Sequence, residues 1–167
     1  MRRLLPWVVA LGMVAAGLAW FRTTDEARVR RVIEGMARNA SFTGNEGTFA
    51  RVAKIESIAS AFTEDAEIHI DQVVPVESSL AGRETIKGLL LAGLQQVRSL
   101  DVKVHDVQVT LGDADTARAV LTASARAGGS KGEFNAQEFE FRLVRREGSW
   151  RVRRIEAVLG FRRPEIR

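Results

Sequence analysis

From Val102 to Leu159 apolar and polar residues alternate with a period of two, and twice the alternation changes phase. A period of two marks strands with one face buried and the other in water. Val102 and Val104 share one parity, whereas Val107, Val109 and Leu111 take the other, with the switch at His105-Asp106. Trp150 and Val152 give way in the same manner to Ile155, Ala157 and Leu159 at Arg153-Arg154. A one-residue phase change is the expected sign of a β-bulge, which bends a sheet. Between the two switches, Ala117, Ala119, Leu121, Ala123, Ala125 and Ala127 share one face. Gln137, Phe139, Phe141 and Leu143 share a face of the next strand. Alanines on a buried face leave room for a helix to approach closely or for a cavity. Gly112-Asp113-Ala114-Asp115, Gly128 to Gly132 and Arg146 to Ser149 supply the turns.

Three helix-like segments come first. Thr23 to Glu26 offers cap residues and early acids, and Val29, Val32, Ile33, Met36 and Ala40 recur at helical spacing. Gly44 to Gly47 breaks that pattern. Thr48 can cap a second helix with the apolar stripe Val52, Ile55, Ile58, Ala59 and Phe62, ended by Thr63-Glu64-Asp65. Ala66, Ile68 and Ile70 then read as a half-buried strand, and Val73 to Val76 as a short edge strand. Gly82-Arg83-Glu84 opens a third helix that buries Ile86, Leu89, Leu90, Leu94 and Val97. The order predicts an α+β domain, a curved sheet wrapped around helices with a pocket between them.

Residues 4–21 carry no charge and follow Arg2-Arg3. That length reaches the minimum for crossing a bilayer, and Trp7 and Trp20 stand near its two ends, where indoles favour the interface. The expected organisation is a membrane anchor or signal segment over 1–23, a domain over 24–160 and a basic tail over 161–167. The reading favours a single-pass anchor with the domain outside the cytoplasm. The rival is a secreted or periplasmic protein cleaved after Ala19. Without residues 1–22 the charge falls from +4 to 22 basic against 21 acidic groups, which argues against nucleic acid as a partner. Nine arginines among residues 142–167 point to a solvated or basic face on the last strands. The chain has no cysteine, which excludes disulfides, thiolate metal sites and cysteine nucleophiles. No phosphate-binding glycine motif or metal-ligand spacing occurs, so no cofactor and no metal are expected.

Four stretches together carry a family resemblance. They are Ala61-Phe62-Thr63-Glu64-Asp65-Ala66-Glu67-Ile68, Gly82-Arg83-Glu84-Thr85-Ile86, Gly112 to Ala117 and Glu147-Gly148-Ser149-Trp150-Arg151-Val152. In this order they resemble the nuclear transport factor 2-like superfamily, including ketosteroid-isomerase-like and SnoaL-type polyketide-cyclase-like proteins. The resemblance implies a cone-shaped, mostly antiparallel sheet packed on three helices, with a cavity and often a homodimer formed through the sheet. The fold hosts isomerases, dehydratases, cyclases and non-enzymes, so it does not by itself give an activity. Ketosteroid isomerases stabilise their oxyanion with a tyrosine, and this chain has none.

His69, Asp71 and His105 are the candidate catalytic residues. His69 and Asp71 lie two apart on one strand and share a face, and His105 sits at the first phase switch. A carboxylate beside an imidazole in a dry pocket can move a proton, as an enolisation or dehydration requires. Ile68 and Ile70 occupy the apolar parity, which turns His69 and Asp71 toward solvent. Trp150 and Phe139 read as core. The main expectation is therefore a membrane-anchored or exported non-catalytic module that binds a small hydrophobic ligand or a protein partner. The alternative is a cofactor-free lyase or isomerase acting on a small hydrophobic carbonyl compound.

Overall fold

The computed structural model describes residues 24–69, 79–113, 115–128 and 135–158. The expected anchor at 4–21, the short strand at Val73 to Val76, Asp71 and the basic tail lie outside these residues. Among the described residues no helix is long and apolar enough to cross a membrane.

Helix α1 covers residues 24–40, α2 Thr48–Ser60 and α3 Arg83–Gln96. The strands are β1 Phe62–His69, β2 Ser79–Ala81, β3 Leu100–Leu111, β4 Thr116–Ala127, β5 Asn135–Arg146 and β6 Ser149–Ala157. They form a sheet in the order β2-β1-β6-β5-β4-β3. β3 to β6 run as an antiparallel meander, and β1 joins its far edge parallel to β6. This is the expected α+β cone, an open and mostly antiparallel sheet with three helices on its concave side.

Both phase switches are bulges. Asp106 and Val107 stand opposite the single Leu121, and Asp106 takes φ 53°, a left-handed conformation that aspartate tolerates better than most residues. Arg30 of α1 donates from Nη2 to the Val107 carbonyl at 2.8 Å, so the helix is fastened to the bend. On β6, Arg153 is the extra residue between the pairs Arg142–Arg154 and Leu143–Val152. The β5–β6 connection is a two-residue turn with positive φ at both Glu147 and Gly148, the conformation whose twist suits a hairpin.

The alanines of β4 have a structural cause. Ala117 and Ala119 lie in one buried cluster with Val29 and Ile33 of α1. Small side chains thus let the helix approach the sheet. Leu121, Leu143 and Val152 are almost wholly buried in the same cluster, each worth roughly 1.5–3 kcal/mol relative to exposure.

Three local expectations are corrected. α2 ends at Ser60, and Phe62 to Asp65 belong to β1, because Phe62 pairs with Val152 of β6. Thr48 is the first helical residue and does not cap α2; Gly47 occupies the cap position with extended backbone. Leu89 is 53% exposed rather than buried, and Val52 is also exposed.

Candidate functional site

Of the three residues singled out in the sequence, His105 is exposed. It borders a shallow open hollow among charged side chains, including Arg30, Arg38 and Lys103. His69 is half-buried on β1, with Nε2 3.9 Å from Glu67 Oε2. Its Nδ1 is buried and has no hydrogen-bond partner among the described residues. Ile68, the next residue along, packs toward the core, so His69 and Glu67 take the convex face of the sheet. The structure therefore does not bring His69 and His105 together, and Asp71 is outside the described residues. Among the described residues no three His, Asp or Glu side chains gather as a metal site would need.

The convex face carries an ion-pair ladder across four strands. Arg118 Nη2 reaches Glu140 Oε2 at 2.6 Å, and Arg142 Nε reaches Glu140 Oε1 at 3.1 Å. Arg142 also approaches Glu156 at 3.6 Å, and Arg154 approaches Glu67 at 3.6 Å. The hydrogen bond from Arg118 is the main cause that holds the Glu140 carboxyl down at about 2, against a smaller upward push from burial. Three arginines of this face are thus paired with acids, and the expected basic character is largely cancelled there.

At the start of α1 a second polar group is enclosed. Asp25 is 8% exposed and accepts hydrogen bonds from Arg145 Nη2 and, at 3.5 Å, from Trp150 Nε1. The Arg145 guanidinium lies 4.7 Å from the centre of the Trp150 ring, and its Nε is 3.8 Å from Asp115. Burial pushes the Asp25 carboxyl up, but the bonds from Arg145 and Trp150, with the charges of Arg145 and Arg28, bring it below its ordinary value. This cluster joins α1 to β5 and β6. Its carboxylate, guanidinium and indole pair with one another, although Arg145 Nε is buried without a hydrogen-bond partner among the described residues.

The opposite end of α1 is different. An apolar cavity of about 320 Å³ lies between the three helices and the start of β3. Phe42, Ile55, Ile58, Leu89, Leu90 and Leu100 line it, with Gly93 completing the α3 side. Three polar residues also border it: Asn39, Arg51 and Lys54. The segment after α1 is held in place by pairing. Phe42 and Leu100 exchange backbone hydrogen bonds at 2.8 and 3.0 Å, and Ser41 Oγ accepts from Val102 N at 2.9 Å. Lys54 Nζ donates to Ser41 O and to Glu46 Oε1, both at 2.9 Å. Asn39 Nδ2 donates to Ser57 Oγ at 2.9 Å, tying α1 to α2. The hydrogen bond from Lys54 is the main cause lowering the Glu46 carboxyl. A pocket of this size with a few placed polar groups is what small-ligand sites commonly present. The sequence singled out none of these polar residues, and the one available signal was Leu89, an apolar residue on α3 that the core leaves exposed.

The architecture is that of the nuclear transport factor 2-like class, an open curved sheet cupped around helices. The chain belongs to the SnoaL-like domain family, whose model matches residues 22–156. No curated protein matches it. Among solved structures it is similar to a protein assigned as a scytalone dehydratase from Novosphingobium aromaticivorans. That pair shares 17% identity over 81% of this chain and 84% of the other, with a TM-score of 0.63. It is also similar to a type 3 hexachlorocyclohexane dehydrochlorinase from Novosphingobium barchaimii, at 12% identity over 84% and 89% of the two chains, TM-score 0.64. A third is a protein of unknown function from Pseudomonas putida, at 14% identity over 85% and 91%, TM-score 0.65. At these identities the likeness is one of fold. The expectation of a non-catalytic binding or assembly module is corrected here. It rested on a pocket fold without a recognisable catalytic set, and structures of this same fold include proteins described as a dehydratase and a dehydrochlorinase.

Proposed function

We propose that the protein is a cofactor-free lyase or isomerase acting on a small hydrophobic carbonyl compound held in the cavity between the helices and β3. The observation that carries this reading is the wall of that cavity, apolar over most of its surface and bordered by the polar residues Asn39, Arg51 and Lys54. Family membership and the fold shared with a dehydratase and a dehydrochlorinase support it. The chemistry suits such a wall. Removing a proton next to a carbonyl places negative charge on its oxygen, and fixed donors in a water-poor site stabilise that charge. The electron pair then expels a leaving group from the neighbouring carbon, as in a dehydration, or takes a proton back elsewhere, as in an isomerisation. The base must be a carboxylate or an imidazole within reach of that proton. Among the described residues β1 lends nothing to the cavity wall, so the sequence candidates His69 and Asp71 are not taken as that base. His105 is set aside because it stands in solvent. The uncharged stretch 4–21 after Arg2-Arg3 would hold the enzyme at a membrane, with the domain outside the cytoplasm.

The test is turnover by the full chain of a panel of cyclic β-hydroxy ketones, followed by the ultraviolet absorbance of the unsaturated product. A Cβ built at Gly93 meets nothing within 4 Å, so Gly93→Phe can fill the cavity without straining α3. The proposal expects turnover that Gly93→Phe abolishes. No turnover across the panel, or turnover indifferent to Gly93→Phe, would contradict it.

A further inference from the structure

Two hollows meet at Arg51. One is the apolar cavity; the other is an open groove of about 570 Å³ whose wall includes Gly44, Thr48, Gln96 and Arg98. Arg51 and Val97 belong to both walls, so this guanidinium stands between the cavity and the solvent groove. Its position is fixed on two sides. It lies 4.7 Å from the centre of the Phe42 ring, and Nη2 donates to the carbonyls of Thr43 at 3.1 Å, Gly44 at 3.4 Å and Arg98 at 3.3 Å. Among the described residues its Nε is buried and has no acceptor.

Charge sharpens the picture. Glu46 feels the Arg51 charge, but its carboxylate is taken by Lys54, at 2.8 Å from Oε2 and 2.9 Å from Oε1. Among the described residues Arg51 has no carboxylate within ion-pair distance. Two cations, Arg51 and Lys54, thus face one acid, Glu46, leaving one positive charge beside an apolar hollow. Nη2 is taken by the three carbonyls, so a carboxylate would be held by the guanidinium's charge and its remaining N–H, through charge-assisted bonds. About 320 Å³ is at the small end of the range that small-ligand pockets occupy.

We infer that Arg51 sets the specificity of the cavity, binding the carboxylate of a small apolar acid whose hydrocarbon body lies against Phe42, Ile58 and Leu90. The inference rests on the proposed function in using the same cavity, and it adds that the carbonyl compound carries an acid group. Binding is therefore measured apart from turnover.

The probes are cyclohexanecarboxylate and its uncharged counterpart cyclohexanecarboxamide, titrated calorimetrically into the full chain near neutral pH. The acid should bind the wild type at least tenfold more tightly than the amide, and added salt should narrow the difference. Arg51→Met should weaken the acid at least tenfold and leave the amide within twofold. Arg51→Lys, which keeps the charge but not the planar guanidinium, should fall between. Equal affinity of the two probes for the wild type overturns the inference, as does binding of neither. Equal weakening of both probes in Arg51→Met would make Arg51 a structural residue and overturn it too. The wild-type comparison stands even if a variant fails to fold. Selective acid binding without turnover would count against the lyase reading alone. Turnover of neutral ketones with no preference for acids would count against this one alone.

Discussion

The two ends of α1 face opposite demands. At its start, Asp25, Arg145 and Trp150 close on one another, and every charge has an opposite charge or a hydrogen-bond partner nearby. At its end, the helices and β3 leave an apolar hollow, Leu89 stands half out of the core, and Arg51 lacks a carboxylate. The first arrangement holds strands and helix in one geometry. The second leaves apolar surface and a cation with no acid partner among the described residues. A charge paired within the fold argues for structure, whereas an unpaired charge beside an apolar hollow argues for a ligand.

Substitutions can break this contrast. Asp25→Ala removes the acceptor from a largely enclosed guanidinium and indole, and should cost about 3 kcal/mol in urea unfolding. Arg51→Met, at the open end, should cost less than about 1 kcal/mol while changing ligand selectivity. Equal costs would erase the distinction between the two ends.

The ladder on the convex face provides a control that touches neither end. The Glu140 carboxyl is held at about 2, below its ordinary value of 4.5. A depressed folded-state pKa contributes stability that is present above the unfolded value and is lost as pH falls toward the folded one. Wild type should therefore melt roughly 3 °C above Glu140→Gln at pH 6, with Arg118 and Arg142 more than half exposed and so weakly coupled. The gap should shrink between about pH 4.5 and pH 2 in a series of thermal melts. A gap that stayed constant would remove Glu140 as its source.

The smallest effect is at Gly93. Replacing a helical glycine that meets open space by alanine should raise stability by about 0.5–1 kcal/mol. The added methyl group is small enough that ligand binding should persist, in contrast with Gly93→Phe. Loss of binding in Gly93→Ala would mean that the cavity admits no reduction at all.

Much of the fold was legible because each residue of a strand reports its own face. The shifts at His105-Asp106 and Arg153-Arg154 need no partner to be seen, and both became bulges. The end of α2 was not legible. Phe62 fits the helical stripe of Ile55, Ile58 and Ala59 and also the strand parity of Ala66 and Ile68, and only its pairing with Val152, far along the chain, decides between them. The site was the least visible part. His69 and His105 stood out by residue type, yet the sheet turns both away from the cavity. Asp25 and Arg145 are brought together across 120 positions by the fold alone. Arg51 reads as an ordinary surface arginine until Phe42, paired with Leu100, sets its ring against the guanidinium.

The most direct measurement is a methyl-labelled NMR titration of the full chain with cyclohexanecarboxylate. The account predicts saturable shifts at Ile55, Ile58, Leu90 and Leu100, with Leu143 and Ile33 unmoved. Shifts spread over the core or confined to the face that bears His69, or no saturable shift at all, would contradict it.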